Sequence, residues 1–85
     1  MSSVAPLSGE AIAARLASLA RHTDAAGRMT RLSLSPAHRV AADEVLALFR
    51  AAGLAAEIDP LGTVVGRLAR GSNDAKLLLI GSHID

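Results

Sequence analysis

Cysteine, tryptophan and tyrosine are absent from the 85 residues, and Phe49 is the only aromatic ring. Without cysteine no disulfide can staple a small domain, and no structural metal site is evident to replace one. A chain without cysteine suits a reducing compartment, so a cytoplasmic setting is expected. With a single ring, packing falls to Ala, Leu and Val, and alanine removes little surface from water per residue. A chain of this length buries only about 60–65% of its unfolded surface. The core is therefore expected to be thin.

Charge of one sign is also lacking. Nine basic residues face eight acidic ones, for a net charge of +1. Eight of the nine are arginines, scattered from Arg15 to Arg70. No basic run or aromatic interleaving marks a nucleic-acid surface, so no nucleic-acid partner is expected. Apolar runs such as residues 77–80 are far too short to span a bilayer, so no membrane partner is expected either. Met1-Ser2-Ser3-Val4-Ala5-Pro6 offers no basic stretch followed by an apolar one, so no secretory signal is expected. What is present is 51% hydrophobic and 20% charged, which argues against disorder.

Residues 1–7 read as a flexible tail, and residues 8–85 as one unit. Ile12, Leu16, Leu19 and Ala20 fall on one stripe of an amphipathic helix that starts at Ser8 as N-cap. Residues 23–34 read as a loop broken by Asp24 and Gly27, with alternation over 29–34 that predicts a brief extended stretch. Ser35-Pro36 starts a second helix, with Ser as N-cap and Pro at the first helical position. Ala41, Val45, Leu48, Phe49 and Ala52 form its apolar stripe, and Gly53 ends it. Residues 54–58 and 63–68 read as strands around the turn Asp59-Pro60-Leu61-Gly62. Residues 70–74 read as an exposed loop, and residues 76–80 as a third, central strand covered on both faces. The fold class is thus α/β, in the order helix, helix, strand, strand, strand.

Directly after that third strand stands Gly81-Ser82-His83-Ile84-Asp85. In open α/β sheets, ligands bind beyond the carboxyl ends of strands. His83 could give an imidazole to a metal, and Asp85 could hold that ring in one tautomer. A catalytic zinc needs about three protein ligands and a water, so this pair supplies part of a site.

Six stretches together carry a resemblance. They are Gly27-Arg28-Met29-Thr30-Arg31-Leu32, Ser35-Pro36-Ala37-His38-Arg39, Ala52-Gly53-Leu54, Ile58-Asp59-Pro60-Leu61-Gly62, Val65-Gly66-Arg67 and Gly81-Ser82-His83-Ile84-Asp85. In this order they resemble the N-terminal part of the hydantoinase/carbamoylase family of metal-dependent amidases, within the aminoacylase and carboxypeptidase superfamily. The likeness covers about residues 10–85, and within the family it is greatest to bacterial allantoate amidohydrolases. It implies a two-domain dinuclear metallohydrolase, of which residues 8–85 would be the start of the metal-binding catalytic domain. Two divalent ions, zinc or manganese, and a small ureido substrate are implied, as is a homodimer formed through a lid domain. His83 matches the first metal-ligand histidine, and Asp85 the catalytic-site aspartate that supports it. The family's bridging aspartate, Glu-Glu pair, later histidines and lid arginine have no counterpart in these 85 residues. The chain is therefore expected to be a fragment, inactive alone.

The parent activity implied is hydrolysis of a C–N bond, with allantoate as substrate. The alternatives are an N-carbamoyl-L-amino acid hydrolase or β-ureidopropionase, and, in another class, a non-catalytic α/β interaction module. Thr63 departs from the Asn usual in the family, which bears on the geometry of the turn. Among the other polar residues, His22 reads as solvated or complementing a helix end, and His38 as structural. Thr30 and Arg31 either border the cleft or serve structure, with Arg31 pairing a carboxylate such as Asp43 or Asp59.

Overall fold

A computed structural model describes residues 8–68 and 78–85. The expected tail at 1–7, the loop at 70–74 and the start of the third strand at 76–77 lie outside the described residues. Four elements follow in order: α1 (Gly9–Ala20), α2 (Pro36–Ala51), β1 (Ala55–Ile58) and β2 (Val64–Arg67).

Both helices start as their caps dictate. The Ser8 hydroxyl accepts the Ala11 N–H at 3.1 Å, and the Ser35 hydroxyl accepts the His38 N–H at 3.2 Å. Each cap satisfies one donor that a helix start leaves unpaired. α2 stops at a glycine in the left-handed region, Gly53 at φ +90°. The Leu54 N–H reaches back to the Phe49 carbonyl, and the Gly53 N–H to that of Arg50. This pair of bonds is a Schellman ending. It turns the chain straight into β1, whose Ala56 carbonyl accepts two bonds from the Arg50 guanidinium.

β1 and β2 pair antiparallel, from Ala55 opposite Arg67 to Ile58 opposite Val64. The turn between them is fixed by Asp59. Its carboxylate accepts the N–H groups of Leu61 and Thr63, each at 2.9 Å. Gly62, at φ +83°, takes the left-handed position, so Thr63 needs no positive φ. Thr63 in place of the family's Asn therefore leaves the turn intact.

α2 packs against both strands. Among the described residues Ala37, His38, Ala41 and Ala42 are the buried ones, all on α2. The stripe expected on α2 is present in part. Ala41 is buried, Val45, Leu48 and Phe49 are half-buried, and Ala52 is exposed. Small residues let the helix approach the hairpin closely, and the core is as thin as the composition requires.

The apolar stripe of α1 is largely exposed: Ile12 and Leu16 are exposed, and Leu19 is half-buried. Nothing among the described residues covers it as α2 covers the hairpin. Residues 29–34 form no strand; the loop is held instead by side chains of Thr23 and Asp24. Residues 78–80, expected to finish a central strand, are neither paired nor covered, and Leu78, Leu79 and Ile80 each keep more than four-fifths of their surface exposed. A buried strand needs neighbours for its backbone N–H and C=O groups and a layer on each face. The described sheet has two strands, β1 and β2.

Candidate metal-ligand motif

The loop that joins the helices is organised from its own start. The Thr23 hydroxyl lies 2.7 Å from the Arg28 carbonyl and accepts the Thr30 N–H at 2.9 Å. The Asp24 carboxylate accepts the N–H groups of Leu32, at 2.9 Å, and Ala37, at 3.3 Å. The Leu32 N–H bond, with a hydroxyl bond from Ser35, holds the Asp24 carboxyl below its ordinary value. These contacts fix residues 30–32 against the end of α1.

Arg31 is the product of that arrangement. Its Nη1 donates to the Leu19 and His22 carbonyls at 2.7 and 2.9 Å, and its Nε donates to the Ile84 carbonyl at 2.5 Å. It pairs with neither carboxylate expected for it. Asp43 lies 3.7 Å from Arg39, and Asp59 is engaged in its own turn. The Ile84 side chain is half-buried. It enters a shallow cleft of about 380 Å³ beside Leu16, Leu19 and Met29.

His83 and Asp85 flank Ile84 at the mouth of this cleft. The His83 ring is 85% exposed, and its Nδ1 lies 3.4 Å from Asp85 Oδ1 and 3.3 Å from the Asp85 backbone oxygen. With Nδ1 turned to Asp85, the proton belongs on Nδ1 and the lone pair on Nε2. One imidazole lone pair, on a ring whose Nδ1 is turned to Asp85, fits part of a divalent-ion site. Among the described residues no three His, Asp or Glu side chains come together as a complete one.

The other histidines serve structure. His22, read as solvated or complementing a helix end, lies just beyond α1 and is half-buried, with Nε2 2.7 Å from Glu44 Oε1. This contact ties the end of α1 to α2. It is the main cause holding the Glu44 carboxyl below its ordinary value, with a Ser18 hydroxyl bond second. His38 is buried, and its Nδ1 accepts the Leu34 N–H at 2.7 Å. Leu34 stands at φ +63°, the single non-glycine residue with a left-handed backbone among the described residues. His38 thus supports a strained turn at the start of α2, beside a second hollow of about 320 Å³ near Asp59 and Gly62.

Comparison with known proteins gives this geometry its setting. The chain is 42% identical over 79 residues, 93% of its length, to allantoate deiminase 1 of Glycine max. It is 38% identical over 79 residues to the allantoate deiminase of Arabidopsis thaliana. Against the N-carbamoyl-L-amino acid amidohydrolase of Geobacillus stearothermophilus it is 41% identical over 59 residues, 69% of the chain. No family model matches, and no solved structure matches. The relatives are hydrolases, so the chain is homologous to a class of enzymes. In particular, it is similar to allantoate deiminases and N-carbamoyl-L-amino acid amidohydrolases, the group that its motifs resemble. It spans about one-sixth of their length: 16% of the soybean enzyme and 14% of the Geobacillus one.

Proposed function

We propose that this chain is the opening part of the catalytic domain of a metal-dependent amidohydrolase that cleaves a C–N bond of allantoate. The observation that carries the proposal is the His83-Ile84-Asp85 motif, with the ring Nδ1 facing Asp85, in a chain 37–42% identical to named allantoate deiminases. In this reading residues 8–85 belong to the metal-binding domain of a two-domain cytoplasmic enzyme that dimerises through a lid. His83 Nε2 would hold one of two zinc or manganese ions. Asp85 would accept the Nδ1–H, fix the ring's orientation and raise its basicity as a ligand. When bound, such ions supply Lewis acidity and lower the pKa of a coordinated water. These 85 residues provide one clear ligand and no general base, so they are not expected to turn over substrate alone. The match to the Geobacillus enzyme supports a second reading, in which the substrate is an N-carbamoyl-L-amino acid.

The test uses the whole protein that carries this chain. Metal content and turnover of allantoate and of N-carbamoyl amino acids are measured for the parent, His83→Ala and Asp85→Asn. His83→Ala is expected to lose bound metal and activity. Asp85→Asn is expected to keep its fold and lose about 10–100-fold in metal affinity or rate. Wild-type metal content and rate in His83→Ala would sink the reading.

A further inference from the structure

We infer that Arg31 is the positioning residue of the His83-Ile84-Asp85 motif, fixing it by binding the backbone between its two functional side chains. This rests on the reading of His83 as a metal ligand. The Ile84 carbonyl lies at the centre of the motif, one residue from each side chain. It receives the shortest of the three Arg31 bonds, 2.5 Å from Nε. The same guanidinium holds the carbonyls of Leu19, in the last turn of α1, and His22, just beyond it. The three partners are all carbonyl oxygens, and that of Leu19 belongs to the negative end of a helix, where a cation is favoured.

The arrangement divides the labour within three residues. Ile84 is anchored twice, by its carbonyl on Arg31 and by its half-buried side chain in the cleft beside α1. His83 stays 85% exposed and available to an ion. A ligand imidazole must be held within a fraction of an ångström to bind tightly, and here the backbone supplies that restraint. The planar guanidinium, with five donors in a fixed fork, can bond in two directions at once. A lysine ammonium can complement the helix end but cannot span to Ile84 in the same way. Arg31 therefore acts through the motif and touches no reacting atom.

In the whole protein, Arg31→Lys keeps the charge beside α1 and removes the fork, whereas Arg31→Ala removes both. Zinc affinity is read by competition with a chelator, and ligand geometry by the visible spectrum of the cobalt-loaded protein. Circular dichroism reports folding. Both variants are expected to bind zinc about 10–100-fold more weakly and to show an altered cobalt spectrum. Arg28→Ala, in the same loop and exposed, is expected to match the parent. Should Arg31→Ala fail to fold, Arg31→Lys decides. Wild-type zinc affinity and cobalt spectrum in Arg31→Lys, with metal lost in His83→Ala, would overturn the positioning role and leave the site reading standing. Metal retained in His83→Ala would instead remove the reading on which the role depends.

Discussion

Two glycines show how differently single residues disclose their purpose. Gly62 closes an Asp-Pro-x-Gly turn, so its positive φ follows from its immediate neighbours. Gly66 has no such local reason. A Cβ at Gly66 would fall 2.7 Å from Phe49 Cδ2 and 3.0 Å from Leu54 Cδ1. The single aromatic ring of the chain therefore occupies the space that a side chain on β2 would need. Gly66→Ala is expected to destabilise the fold by about 1–3 kcal/mol, as overpacking does, measured by urea unfolding. Phe49→Leu in the same background should recover part of the loss. A Gly66→Ala variant as stable as the parent would show that the ring can move aside. The pairings of His22 with Glu44 and of Arg31 with Ile84 were equally hidden, because they join positions 22 and 53 residues apart. A single sequence records such pairs only as two unrelated polar residues.

At the scale of elements, what the sequence disclosed was what its neighbours in sequence decide. Ser8, Ser35-Pro36 and Gly53 mark helix ends through bonds that span a few residues, and all three act as read. The cover expected for residues 78–80 is absent among the described residues, because apolarity states a need for cover and not its presence. The joint between α1 and α2 holds two carboxyls that make stability depend on pH. Asp24 and Glu44 both titrate below their ordinary values of 3.8 and 4.5, Asp24 chiefly through the Leu32 N–H and Glu44 chiefly through His22. A carboxyl depressed on folding stabilises the folded state above its ordinary value. That contribution is lost as pH falls through the lower, folded value. Thermal stability is thus expected to fall as pH drops below the ordinary values of the two groups. Asp24→Asn and Glu44→Gln should each flatten the decline when unfolding is followed at successive pH values. An unchanged slope in both variants would assign the acid sensitivity elsewhere.

Taken whole, the described molecule is a close-packed unit of α2 with the β1–β2 hairpin, to which α1 and the last eight residues are attached by few contacts. Ile12, Leu16, Met29 and Leu32 stand exposed, as do Leu78, Leu79 and Ile80. The soybean allantoate deiminase has about six times the length of this chain. Arg31 joins the attached parts, and its three bonds close loops of very unequal size: 9 residues to His22, 12 to Leu19 and 53 to Ile84. Closing the longest of these costs about 1 kcal/mol more chain entropy than closing the 12-residue loop. As a latch, the guanidinium is therefore expected to let go of Ile84 first and of α1 last. Limited proteolysis in rising urea should cut near residues 78–80 at concentrations where α1 is still intact, and simultaneous cleavage of both would refute the order. The entropy of the chain itself would then set a sequence of events: Arg31 takes its place on the end of α1 early, and the histidine motif arrives at a seat already made.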